Sequence, residues 1–122
     1  MSPVQQNPTH PRLGLGLTMR LHECVLAVAG ELDLATAPRL DRVLRWLQAG
    51  GRPLFLDLRD VEFVDCGGWN VIVEAMRRQQ QRGLPDLQLV DMSRQVQRFT
   101  ALFQQCSDGG PLPRTVQSPR LR

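Results

Sequence analysis

The stretch Leu54 to Leu58, reading LFLDL, constrains this chain more than any other, because it is apolar at every position but Asp57. It is far too short to cross a bilayer, which takes about 20 apolar residues. Its lack of polar alternation predicts a strand covered on both faces, the kind found in parallel sheets overlaid by helices. Segments of helical period flank it. Before it, Leu40, Val43, Leu44 and Leu47 fall at i, i+3, i+4 and i+7, a single apolar stripe. After it, Trp69, Ile72, Val73 and Met76 form a second stripe.

The remaining elements follow from the same reasoning. Leu15, Leu17, Met19 and Leu21 alternate with Gly16, Thr18 and Arg20, the period of a half-buried strand. Cys24 to Gly30 follows at once and predicts an antiparallel hairpin turning at His22 and Glu23. Thr36 is placed to cap the first helix, Pro38 fits its first turn and Gly50–Gly51 stop it. Asp41 and Arg45 make an i, i+4 pair, and Trp46 flanks the stripe as a partly buried residue. Val61, Phe63 and Val64 extend the central buried run toward Asp65, and a second helix opens after Gly67 and Gly68. Arg77, Arg78 and Arg82 gather at that helix's C-terminal end, before Gly83 and Pro85. Leu87 to Val90 reads as another buried strand, and Ser93 caps a last helix with Val96, Phe99 and Phe103 inward. The order β-β-α-β-α-β-α predicts an α/β domain: a mixed, mostly parallel sheet of four to five strands with helices packed on it.

With 122 residues, one such domain fills the chain. Residues 1–12, with Pro3, Pro8 and Pro11, are expected to be disordered; residues 13–106 form the domain; residues 107–122 read as a flexible basic tail. Either the fold ends early, or a short strand around Thr115 and Val116 completes the sheet. An exposed sheet edge would then allow a weak dimer beside the monomer.

The net charge of +3 points toward nucleic acid only until it is located. Residues 13–106 carry eleven Arg against eleven Asp plus Glu, so the excess lies in the tails, and no clustered basic face tracks phosphates. Cys24, Cys66 and Cys106 have no CxxC spacing, and His10 and His22 supply no ligand cadence, so neither metal nor cofactor is expected. Leu13 to Leu17 holds two glycines but precedes a strand, unlike a dinucleotide loop. The N-terminus lacks the basic start and apolar core of a signal peptide, and the protein reads as cytoplasmic, without membrane insertion.

The informative stretch is Leu56 to Asn70, LDLRDVEFVDCGGWN. It leaves a buried strand, passes Asp65 and Cys66, and enters a helix through two glycines. Ligands and partners of parallel sheets meet the protein at such strand ends. A helix N-terminus there carries partial positive charge, and glycines allow another backbone to approach closely. The plainer alternative is that Asp65 or Cys66 caps the helix and the glycines make the turn. Catalysis by Cys66 needs a nearby His base, and His22 sits on the hairpin, so an enzyme is not expected.

Three ordered segments, GELDLATAPRL (Gly30 to Leu40), LDLRDVEFVDCGG (Leu56 to Gly68) and LQLVDMSRQVQRF (Leu87 to Phe99), resemble the STAS family of anti-sigma factor antagonists. The resemblance implies a regulatory protein whose partner is an anti-sigma factor, a serine kinase of the histidine-kinase ATPase fold. It implies a contact surface of Asp33, Asp65, Cys66, Gly67, Gly68 and Trp69. For Trp69, core packing competes with that role, and Asp33 is equally a loop residue before a capped helix. The family's kinase phosphorylates a serine directly after the aspartate that corresponds to Asp65. Phosphorylation adds about −1.5 to −2 charges inside the contact and opposes binding.

This chain has Cys66 at the phospho-acceptor position. Three readings follow: a thiol standing in for unphosphorylated serine in a permanently competent antagonist, a redox sensor, or a site drifted to another partner. A helix N-terminus lowers a thiol pKa, whereas adjacent Asp65 opposes the effect. An accessory STAS subunit of a transporter or multi-subunit complex is the alternative function.

Overall fold

The computed structural model describes the chain over residues 13–106 and 114–116, with side chains placed through residue 103. The expected tails, residues 1–12, 107–113 and 117–122, lie outside the described residues. The elements run β1 (Leu13–Met19), β2 (Cys24–Leu32), α1 (Ala37–Ala49), β3 (Leu54–Val64), α2 (Cys66–Gln81), β4 (Gln88–Val90), α3 (Arg94–Cys106) and β5 (Arg114–Val116). They build one five-stranded sheet in the order β1-β2-β3-β4-β5. Strand β1 pairs antiparallel with β2, and every other pairing is parallel. The α/β sheet is the expected one, and the strand near Thr115 and Val116 completes it. Residues 114–116 therefore belong to the domain and not to the tail.

Directly paired residues share a face of the sheet. Leu17, Leu26, Leu56 and Leu89 form one row across four strands. Three of them are sealed, and Leu17 at the β1 edge is 40% exposed. This face joins Leu40, Leu44, Leu47, Trp69, Ile72 and Val96 in one apolar core. Arg39 of α1 donates to the Leu13 carbonyl, holding that helix along β1.

The opposite face corrects in part the expectation that β3 is covered on both faces. It carries half-buried Phe55, buried Asp57 and exposed Arg59. Asp57 accepts from the backbone N–H and Nε of Arg59, whose Nη2 also donates to Asp91. The Asp57 hydrogen bond and charge hold the Arg59 guanidinium above its ordinary pKa. Phe63 and Trp46 were expected inside or partly inside, but are 50% and 66% exposed. Phe63 lies beyond the register shift between Gly30 and Glu31, where the pairing of β2 with β3 turns irregular.

Helices α1 and α2 meet through a buried polar contact that apolar periodicity does not announce. Gln48 Nε2 donates to the Ala75 carbonyl at 2.7 Å and to Gln79 Oε1 at 3.0 Å. Arg78 Nε donates to Gln48 Oε1. Burial is the main reason the Arg78 guanidinium lies below its ordinary pKa, and neighbouring Arg45 adds to it.

Candidate functional site

Strands β2 and β3 run in parallel, so the loops that leave them open side by side at one end of the sheet. After β2, the chain turns through Asp33, whose Oδ1 accepts from the N–H groups of Ala35 and Thr36. Thr36 Oγ1 accepts from the Asp33 N–H and donates to the Glu31 carbonyl. Thr36 therefore ties the loop to β2, and makes no side-chain cap to α1 as its position suggested.

After β3, Asp65 holds an extended conformation at the N-cap of α2, and its Oδ1 accepts from the Gly68 N–H at 2.9 Å. The helix begins at Cys66, earlier than the two glycines suggested, because this cap satisfies an otherwise free N–H in the first turn. The Asp65 N–H donates to the Leu32 carbonyl, pinning the second loop to the end of β2.

The glycines are consumed by this junction. A Cβ on Gly68 would lie 2.3 Å from the Leu32 carbonyl oxygen, and one on Gly67 would lie 2.8 Å from Leu34 Cδ1. The backbone that approaches them closely is the chain's own. Gly68 is buried and Trp69 fully so. Trp69 packs against Phe99 with ring centroids 6.0 Å apart. As a direct contact residue Trp69 is corrected to core, for its ring has no surface to offer, and Gly68 acts by letting α2 close on β2.

Cys66, by contrast, is an exposed free thiol on the first residue of α2, while Cys24 is buried. Asp33, Asp65 and Gly67 are half-buried around it. Sequence reasoning missed two apolar neighbours at this end of the sheet: Leu34, 73% exposed and stacked over Gly67, and Phe63 at the end of β3. Glu31, Asp33, Glu62 and Asp65 gather at the same end. Arg77, Arg78 and Arg82 lie at the opposite end of α2. The balanced net charge conceals this separation. The signal was present in the spacing of GELD and DVEFVD, where acids recur at strand ends.

Among the described residues no group of three His, Cys, Asp or Glu side chains is placed to hold a metal. No helix among them is long and apolar enough to cross a membrane.

This mixed, mostly parallel α/β sheet, with an exposed and capped helix start at the end of its central strand, is that of an STAS-type module, typically a non-catalytic regulatory domain. The chain belongs to the STAS domain family, for the model described as "Mlab, STAS domain" matches residues 15–105. Among curated proteins, none matches the chain's sequence. Several solved structures share the fold. An anti-sigma factor antagonist from Mycobacterium paratuberculosis is 21% identical with a TM-score of 0.64, over 83% of this chain and 87% of that one. The phosphorylated Bacillus cell fate determinant SpoIIAA is 17% identical with a TM-score of 0.63, over 87% and 94%. The protein TM1081 is 20% identical with a TM-score of 0.69, over 98% and 92%. At these identities the likeness is one of fold.

Proposed function

We propose that this domain is a cytoplasmic antagonist that docks on an anti-sigma factor, a serine kinase of the histidine-kinase ATPase fold, and is not released by serine phosphorylation. The docking surface is Asp33, Leu34, Phe63, Asp65, Cys66 and Gly67. The observation that carries the reading is the exposure of Cys66 on the first turn of α2, beside the Asp65 cap. A thiol there is small, close in size to an unmodified serine side chain, and it offers a serine kinase no hydroxyl. Leu34 and Phe63 supply apolar area, and the surrounding carboxylates suit a partner rich in Arg or Lys.

Affinity capture from cell extract, followed by kinase assay, tests the reading. The wild type recovers the kinase and takes up no phosphate at this site, whereas Cys66→Ser becomes a substrate. Failure of the folded protein to recover such a partner, or a Cys66→Ser variant that the recovered kinase ignores, contradicts it.

The missing hydroxyl equally favours a permanently bound accessory subunit of a transporter or multi-subunit complex, since such a subunit needs no release switch. That reading predicts co-purification with the complex and no effect on sigma-dependent transcription. A redox role for Cys66 requires a reactive thiolate. Alkylation no faster than that of a model thiol excludes it.

A further inference from the structure

The outer edge of the sheet at β1 has features that a solitary domain ordinarily avoids. Edge strands are usually blunted by charge, proline or a bulge. Leu13–Met19 carries no charged residue and no proline, and it pairs with β2 through all seven residues without a register shift. Strand β2 covers its inner side only.

The apolar cover also ends at this edge. Leu26, Leu56 and Leu89 are sealed, while Leu17, the end of their row, is 40% exposed and Met19 is 46% exposed. Met19 and Trp46 border a mostly apolar cleft of about 340 Å³ beside α1.

We infer that β1 is an interface for a second copy of this chain, paired antiparallel about a twofold axis at Gly16. This inference is independent of the function proposed for the Cys66 surface, which lies at the ends of β2 and β3.

The register follows from the sequence of the strand. An antiparallel pairing keeps the apolar face continuous only when opposed residues have the same parity, because a one-residue slip reverses every side chain. Of those registers, only the one centred on Gly16 uses all seven residues. It sets Leu13 against Met19, Gly14 against Thr18, Leu15 against Leu17 and Gly16 against itself. Leu17 then meets Leu15 of the second copy, and the leucine row continues across the seam. The contact is self-complementary, as a twofold interface requires. Arg20, just beyond the strand, turns back on Glu23 at 3.8 Å, which moderates its charge at the end of the seam.

Sedimentation over a wide concentration range, together with cysteine cross-linking, tests this. The wild type is expected to reach twice the 13.8 kDa chain mass, and Leu17→Lys is expected to remain at the chain mass. A cysteine replacing Gly16 faces its own copy at about 4.5–5.5 Å between Cα atoms, within disulfide reach. Gly16→Cys should therefore oxidise to a covalent dimer beyond the wild-type background, while Thr18→Cys, which faces Gly14, should not. A wild type that stays at the chain mass, including one that pairs only with a foreign strand, overturns the inference. So does a Gly16→Cys variant that cross-links no more than Thr18→Cys.

Discussion

Gly68 lies so close to Leu32 that a methyl group on it would sit 2.3 Å from the Leu32 carbonyl oxygen. This approach, with the Asp65 N–H bonded to that same carbonyl, locks the start of α2 to the end of β2. Ala is the better helix former by about 1 kcal/mol. A clash with backbone has no flexible group to yield, and overpacking costs about 1–3 kcal/mol or more. Gly68→Ala is therefore expected to lower stability in urea denaturation. Gly67→Ala, which meets mainly the exposed Leu34 side chain, should cost less.

The Asp65 cap separates from its charge by substitution. Asp65→Ala removes the acceptor for the Gly68 N–H and should cost about 0.5–2 kcal/mol in the same experiment. Asp65→Asn keeps an acceptor oxygen and should cost less. Equal losses would mean that charge, not the hydrogen bond, holds the helix start.

The two tryptophans predict an optical signature. Trp69 is fully buried against Phe99, and Trp46 is 66% exposed. Trp46→Phe should leave a blue-shifted emission that acrylamide barely quenches, while Trp69→Phe should leave a red-shifted, readily quenched one. Truncation of Trp69 to Ala should cost about 3–5 kcal/mol. Measured quenching in the reverse order would contradict the assignment of Trp69 to the core.

Gln48 is buried and bonded to Ala75, Gln79 and Arg78. Gln48→Ala strands those partners without replacing them, at about 1–3 kcal/mol for an unsatisfied buried group plus the lost packing. Denaturation of the double variant with Gln79→Ala should show non-additive losses, since the two side chains share one contact.

The order of elements was legible because each helix stripe and each short apolar run repeats at its own period, and the STAS segments occur in order. What sequence could not convey was which side of a pattern a neighbour covers. Phe63 continues an apolar run yet faces outward at the irregular end of the β2–β3 pairing. Gln48 breaks a stripe yet is buried because Gln79 and Arg78 meet it from another helix. The Gly67–Gly68 pair marked the junction correctly, but its close neighbour proved to be Leu32 and Leu34 of the same chain. Cys66 was legible as a departure from the family pattern, whereas its exposure at the first residue of α2, next to the Asp65 cap, was not.

The proposed docking stands on Cys66 lying inside the contact surface, beside the Asp65 cap, and quantitative capture with three baits tests this most directly. Wild type and Cys66→Ser should retain the same partner equally, and Cys66→Asp should retain about tenfold less or lower still, as a fixed charge beside Asp65 is desolvated in the contact. Equal retention by all three baits, with each shown to be folded, would contradict the account.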